Sequence, residues 1–128
     1  MNIAHVALWT RHLDAQVQFW ETVFGGRRNE RYLSKNRPGF ASHFITLDGG
    51  PTLELMTVPD LPDAPAYPEF IGWAHIAIHV GSQADVDRMA AQAQSNGTLL
   101  SAPRMTGDGF YEAVIADPDG NRIELTGE

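Results

Sequence analysis

The chain repeats itself. Sliding the 128-residue sequence by 70 positions lays His5 on His75 and Glu54 on Glu124, each His standing 49 residues before its Glu. The same ungapped register matches Ala4 with Ala74, Ala7 with Ala77, Gly39 with Gly109, Phe40 with Phe110, Ile45 with Ile115, Gly50 with Gly120 and Leu55 with Leu125, nine identities in all. Val6 with Ile76, Leu8 with Ile78 and Leu53 with Ile123 are conservative matches, so the apolar pattern recurs with the polar one. Such a chain folds as two copies of one supersecondary unit. The polar constants of this repeat, imidazole and carboxylate, are metal-ligand types.

The elements within each copy follow from periodicity. Residues 2–9 (NIAHVALW) read as a strand, and the apolar spacing of Val17, Phe19, Trp20, Val23 and Phe24 predicts a helix from Leu13 to Phe24, capped by Asp14 and stopped by Gly25-Gly26. A short edge strand over 27–33 precedes a hairpin, 40–47 and 52–57, around Asp48-Gly49-Gly50-Pro51. The second half replays the order: strand 73–80, a Ser82/Asp85 capping box, helix 83–95 ended by Asn96-Gly97, edge strand 98–101, then a hairpin with arms 109–116 and 121–126. Its turn, Asp117-Pro118-Asp119-Gly120, has Pro and Gly where the dihedrals require them. The expected architecture is α+β, two tandem βαβββ modules forming a curved mixed sheet around a metal-binding cleft. The first module spans 1–58 and the second 71–128, joined by a proline-rich linker over 59–70.

Strand side chains alternate in direction, so parity decides which residues can converge. His5 shares a face with Ile3, Ala7 and Trp9, opposite Ala4, Val6 and Leu8; Glu54 sits with Thr52 and Met56, opposite Leu53 and Leu55. His75 lies with Ala77 and His79, and Glu124 with Arg122 and Thr126, opposite Ile76, Ile78, Ile123 and Leu125. Each aliphatic face can receive a helix, and each opposite face carries one His or Glu.

Composition narrows the chemistry. With no cysteine there is no disulfide framework, thiolate ligand or cysteine nucleophile, which leaves oxygen and imidazole as metal ligands. A formal charge of -7, with the nine Lys and Arg scattered, argues against nucleic acid as a partner. No apolar run reaches bilayer length and no basic segment precedes an apolar one, so a membrane partner is not expected and the cytoplasm is the expected location. Two imidazoles and two carboxylates form a set suited to one borderline divalent metal, Ni, Co, Zn, Fe or Mn. Four protein ligands on a six-coordinate ion leave two positions for substrate oxygens.

Through IAHVAL, LELM, WAHIAI and DPDGNRIEL the chain resembles the vicinal oxygen chelate superfamily of glyoxalases, bleomycin resistance proteins and dioxygenases, over nearly its whole length. The His5, Glu54, His75, Glu124 set is similar to that of short bacterial glyoxalase I, the lactoylglutathione lyase. That resemblance implies a lyase-type enzyme with Ni or Co as the favoured metal, acting on a small substrate with vicinal oxygens such as the methylglyoxal–glutathione hemithioacetal. It further implies enediolate stabilisation at the metal, proton shuttling by Glu124 with Glu54 as its metal-bound partner, and a homodimer. Trp9, Met56, Arg104 and Phe110 are the expected substrate-binding residues.

The sequence departs from the resemblance where glutathione is gripped. Glutathione-binding members carry an Arg just past the first His and an Asn after the first Glu; here the chain reads Trp9-Thr10-Arg11 and Met56-Thr57-Val58. This favours a smaller or less polar substrate. Two alternatives share the scaffold: another metal-dependent reaction, by a dioxygenase or thiol transferase, and an antibiotic-binding resistance protein in which Trp9, Trp73 and Phe110 stack on a drug. His12 is assigned to the strand–helix turn, His43 to no metal role, Phe19 and Trp20 to the helix core, and Asp117 and Asp119 to their turn. His79 shares the face of His75, and Glu112 is open to either cleft or solvent.

Overall fold

The computed structural model describes residues Met1–Glu128, and the chain divides into two compact units, Met1–Ala64 and Pro65–Glu128. The first contains β1 (Val6–Trp9), α1 (Leu13–Phe24), β2 (Arg27–Arg28), β3 (Tyr32–Leu33), β4 (Ala41–Thr46) and β5 (Thr52–Thr57). The second contains β6 (Ile76–Gly81), α2 (Gln83–Ser95), β7 (Leu99–Met105), β8 (Tyr111–Ala116) and β9 (Arg122–Gly127). Each is a βαβββ-like α+β module with its own mixed sheet. No helix is long and apolar enough to cross a membrane.

In the first unit the strand order is β1-β5-β4-β2, with β3 also paired to β4; β1 runs parallel to β5 and the other pairs are antiparallel. Leu13, Val17 and Trp20 line the buried stripe of α1, and Ala41, Ile45, Leu53 and Leu55 bury the facing side of β4 and β5. Gln16 is also buried on this stripe, at 0% exposure, and its Oε1 accepts from Trp20 Nε1 at 3.2 Å, so both polar atoms are satisfied. Gly25 ends α1 at φ 65°, where its N–H bonds the Trp20 carbonyl. The helix start differs from the expected Asp14 cap. His12 occupies the cap position without a side-chain bond, Thr10 Oγ1 accepts from His12 N–H at 2.8 Å, and Asp14 lies in the first turn, where its charge favours the positive end of the helix dipole.

The second unit repeats the plan, with strand order β6-β9-β8-β7 and β6 parallel to β9. Val86, Ala90 and Ala93 of α2 are buried with Ala113, Ile115, Ile123 and Leu125. The capping box is present: Ser82 Oγ accepts from Asp85 N–H while the Asp85 carboxylate accepts from Ser82 N–H at 3.0 Å. The Ser82 side-chain and backbone bonds lower the Asp85 pKa to about 2. Gly127 passes so close to this helix start that a Cβ there would meet the Ser82 carbonyl oxygen at 2.5 Å.

The edges depart most from expectation. β1 and β6 begin at Val6 and Ile76, later than the expected 2–9 and 73–80, because their parallel partners begin at Thr52 and Arg122 and the ladders start at Val6↔Leu53 and Ile76↔Ile123. The 27–33 edge strand is two short pieces, since Asn29 diverts the pairing: its N–H bonds the Phe44 carbonyl and its Oδ1 accepts from Phe44 N–H. β7 runs to Met105, past 98–101, carrying Pro103 with irregular register on an edge strand, where proline costs no ladder bond.

Candidate functional site

In each sheet the repeated His and Glu stand on the face turned away from the helix. In the first unit Ala7 is the register partner of Glu54 on parallel strands, which puts His5, two residues earlier, on the same face. His5 Nε2 lies 3.5 Å from Glu54 Oε2, with the side chains 44% and 18% exposed. In the second unit Ala77 partners Glu124, and His75 Nε2 lies 3.5 Å from Glu124 Oε2, with exposures of 44% and 17%. The two His–Glu pairs therefore match in separation and burial.

The donor set can be tested for fit to a divalent ion. Ligand bonds of about 2.1 Å meeting at tetrahedral or octahedral angles place neighbouring donor atoms roughly 3.0–3.4 Å apart. At 3.5 Å each His–Glu pair is near that spacing and is looser than a direct charged hydrogen bond of about 2.8 Å. Each pair stands as two donors, and no group of three or more His, Asp or Glu gathers into a metal-holding set.

The surroundings of the half-sites differ. In the first unit Phe44 is the register partner of Glu54, and its ring meets the His5 imidazole edge-on, centroids 5.6 Å apart. Trp9 partners Met56 on the same face, so two of the expected substrate residues are neighbours. Trp9 is 44% exposed and meets Phe40 edge-on at 6.1 Å, and Phe40 meets Tyr32 at 6.2 Å. In the second unit Val114 replaces Phe44 opposite Glu124, and Glu112, partner of Thr126, lies on the same face. Arg104 Nη2 bonds Glu112 Oε1 at 3.1 Å and Arg104 Nη1 donates to Ser101 Oγ at 2.8 Å, so this guanidinium is occupied within its own unit. Phe110 stands 56% exposed in the turn before β8, its N–H bonded to Thr106 Oγ1.

Glu112, left open between cleft and solvent by the sequence, is buried on the face that carries Glu124. It is 9% exposed, and burial pushes its carboxyl pKa up; the charge of Glu124 and a side-chain hydrogen bond with it act in the same direction, opposed by Arg104. The available signal was register: Val114 stands opposite Glu124, and Glu112 is one alternation away. His43 is buried with Nδ1 3.0 Å from the Asn29 carbonyl, His12 lies between β1 and α1, and His79 is exposed opposite Thr126. Arg11 ties Asp63 and the Leu61 carbonyl of the proline-rich segment. Asp117 fixes its turn, Oδ1 accepting from the Asp119 and Asn121 N–H groups, each at 2.9 Å.

Two βαβββ-like units of this kind match the fold of the glyoxalase-type structures to which the chain is similar. The chain belongs to the Glyoxalase/Bleomycin resistance protein/Dioxygenase superfamily, whose model matches residues 2–125. It is 30% identical to the uncharacterized protein PA2024 of Pseudomonas aeruginosa, covering 98% of this chain and 87% of that protein. Among solved structures it resembles glyoxalase I from Zea mays at TM-score 0.77 and 21% identity, over 98% of this chain and 44% of that one. It also resembles the fosfomycin resistance protein FosX from Listeria monocytogenes, complexed with Mn(II) and sulfate, at TM-score 0.72 and 16% identity, over 99% and 92% of the two chains. Members of the superfamily commonly bind a divalent metal and small-molecule ligands, and often form dimers.

Proposed function

We propose that the protein is a metal-dependent isomerase or lyase of the glyoxalase I type, acting on a small substrate with adjacent oxygens. The observation that carries this reading is the twin half-site: His5–Glu54 and His75–Glu124, each at 3.5 Å, with matching exposure. His5, Glu54, His75 and Glu124 would hold one divalent cation, Ni, Co, Zn, Fe or Mn, in a cytoplasmic homodimer. A cation there supplies Lewis acidity toward two adjacent substrate oxygens, which makes a neighbouring C–H proton removable near neutral pH.

The residues then divide the work. Glu124 takes the carbon-bound proton and returns it to the adjacent carbon, while Glu54 balances charge from the other half-site. Glu112, buried beside Glu124 with its carboxyl pKa raised, packs against the proton-shuttling carboxylate and positions it. Phe44, against His5 and Glu54, keeps water from one side of the first half-site. Glutathione is not favoured as the thiol carrier, since Arg11 is committed to Asp63 and the region after Glu54 reads Met56-Thr57-Val58.

The test is elemental analysis of the purified protein, then assay of methylglyoxal plus glutathione after loading with Ni, Co, Zn or Mn. About one ion per site, lost in His5→Ala and in His75→Ala, is expected. A protein that takes up no metal overturns the enzymatic reading. Metal uptake without turnover keeps the metal site and removes the glutathione substrate.

A further inference from the structure

The two units are most unlike one another beside the first half-site. The loop Ser34–Phe40 is closed by three hydrogen bonds: Ser34 N–H to the Phe40 carbonyl at 3.1 Å, Phe40 N–H to the Arg37 carbonyl at 3.0 Å, and Arg37 N–H to Ser34 Oγ at 3.0 Å. This closure sets the Arg37 guanidinium over two rings, with Cζ 5.5 Å from the Trp9 centroid and 5.8 Å from that of Phe40. Five other arginines, Arg11, Arg27, Arg28, Arg88 and Arg104, are paired with carboxylates; Arg37 has no such partner. Its charge rests on aromatic faces, and its N–H donors are unclaimed by any acid.

The position of this shelf gives it a use. Ser42 partners Met56, and Phe40 precedes Ser42 by two, so Phe40, Trp9 and Met56 lie on the open face that also carries Glu54. Met56 follows Glu54 by two residues, roughly 7 Å along the strand. At the equivalent positions of the second unit the chain has His79 for Trp9, Gly107 for Arg37 and Ala102 for Tyr32, so only the first copy carries the shelf.

We propose that Trp9, Phe40 and Arg37 are specificity-determining residues that recognise an aryl carboxylate. The aromatic ring packs on Trp9 and Phe40, and the carboxylate is held by the fork of Arg37, at the end of the substrate remote from its reacting oxygens. This assignment rests on the metal-dependent reading only for which end reacts; the shelf itself needs no metal.

The probes are 2-naphthoate, its uncharged counterpart 2-naphthalenemethanol, and acetate, titrated by calorimetry into the metal-free full-length protein. Wild type binds 2-naphthoate, with saturation transfer from the Trp9 indole to the ring protons, and binds acetate undetectably. Arg37→Gln weakens 2-naphthoate about tenfold and leaves 2-naphthalenemethanol unchanged, as loss of a charge-assisted bidentate contact requires. Trp9→Ala weakens both aromatic probes. Binding of 2-naphthoate to the metal-free protein separates the shelf from the metal-dependent reading. Equal affinity of Arg37→Gln and wild type for 2-naphthoate, or no binding of it to wild type, overturns the proposal.

Discussion

The first unit packs its helix with a Trp and a buried Gln, while the second uses Ala90 and Val86 at the matching positions, Trp20 with Ala90 and Gln16 with Val86. On the open faces the contrast is reversed in kind. The first unit presents Phe44, Trp9 and Phe40, and the second presents Val114, His79, Glu112 and Arg104. Yet the His–Glu separations agree at 3.5 Å in both. Ladder register places Glu54 and Glu124 alike, and His5 and His75 each stand one residue before the ladder begins, so the two His–Glu pairs keep one spacing while the side chains around them diverge. Duplication here preserved what the backbone dictates and freed what it does not.

The asymmetry can be broken from either side. The largest effect is expected from Glu124→Gln, with turnover falling about 10²–10⁴-fold while metal content stays at the wild-type level. Undiminished turnover would move the base to the first unit and Glu54. Next comes the core: Trp20→Ala should destabilise the first unit by about 3–5 kcal/mol, measured by chemical denaturation. A loss below about 1 kcal/mol would mean that the buried Trp20–Gln16 pair is not what supports α1.

The helix starts give a smaller contrast. Ser82→Ala removes the reciprocal cap of α2 and should cost about 1 kcal/mol. His12→Ala, at a position without a side-chain cap bond, should leave stability unchanged within the precision of denaturant titration. Equal effects would deny the difference between the two helix starts.

Smallest is a pH effect at Glu112, read in the metal-free protein. A folded carboxyl with a raised pKa leaves stability undiminished below the unfolded value, near 4.5, and lowers it as pH rises through the folded value. Glu112→Gln should therefore gain on wild type in melting temperature as pH rises from 4 to 7, and match it at the acid end. A constant offset across that range would show that burial does not penalise the Glu112 charge.

Much of this was legible because the signals were local. α1 and α2 begin and end where periodicity, Gly25, the Ser82/Asp85 box and Asn96-Gly97 place them, and β5 spans the expected 52–57. The strand starts at Val6 and Ile76 were not legible, since they depend on where a distant parallel partner begins. Asn29 split an edge strand through a cross-strand side-chain bond that spacing does not encode. Parity put His and Glu on one face in each unit, but Glu112 and Phe44 needed the pairing between β8 and β9 and between β4 and β5. Arg37 lay in a loop with no periodicity, and its stacking on Trp9 is a tertiary fact.

Where β1 and β6 begin has its own consequence. His5 and His75 each stand one residue before the first laddered residue of β1 and β6, while Glu54 and Glu124 sit mid-strand. A ligand gripping both members of a pair would zip the ladder shut by one residue. Amide hydrogen exchange at residues 5–6 and 75–76 would slow on occupancy before any distant amide changed. The chain would then carry, at the starts of β1 and β6, its own gauge of whether these His–Glu pairs are occupied.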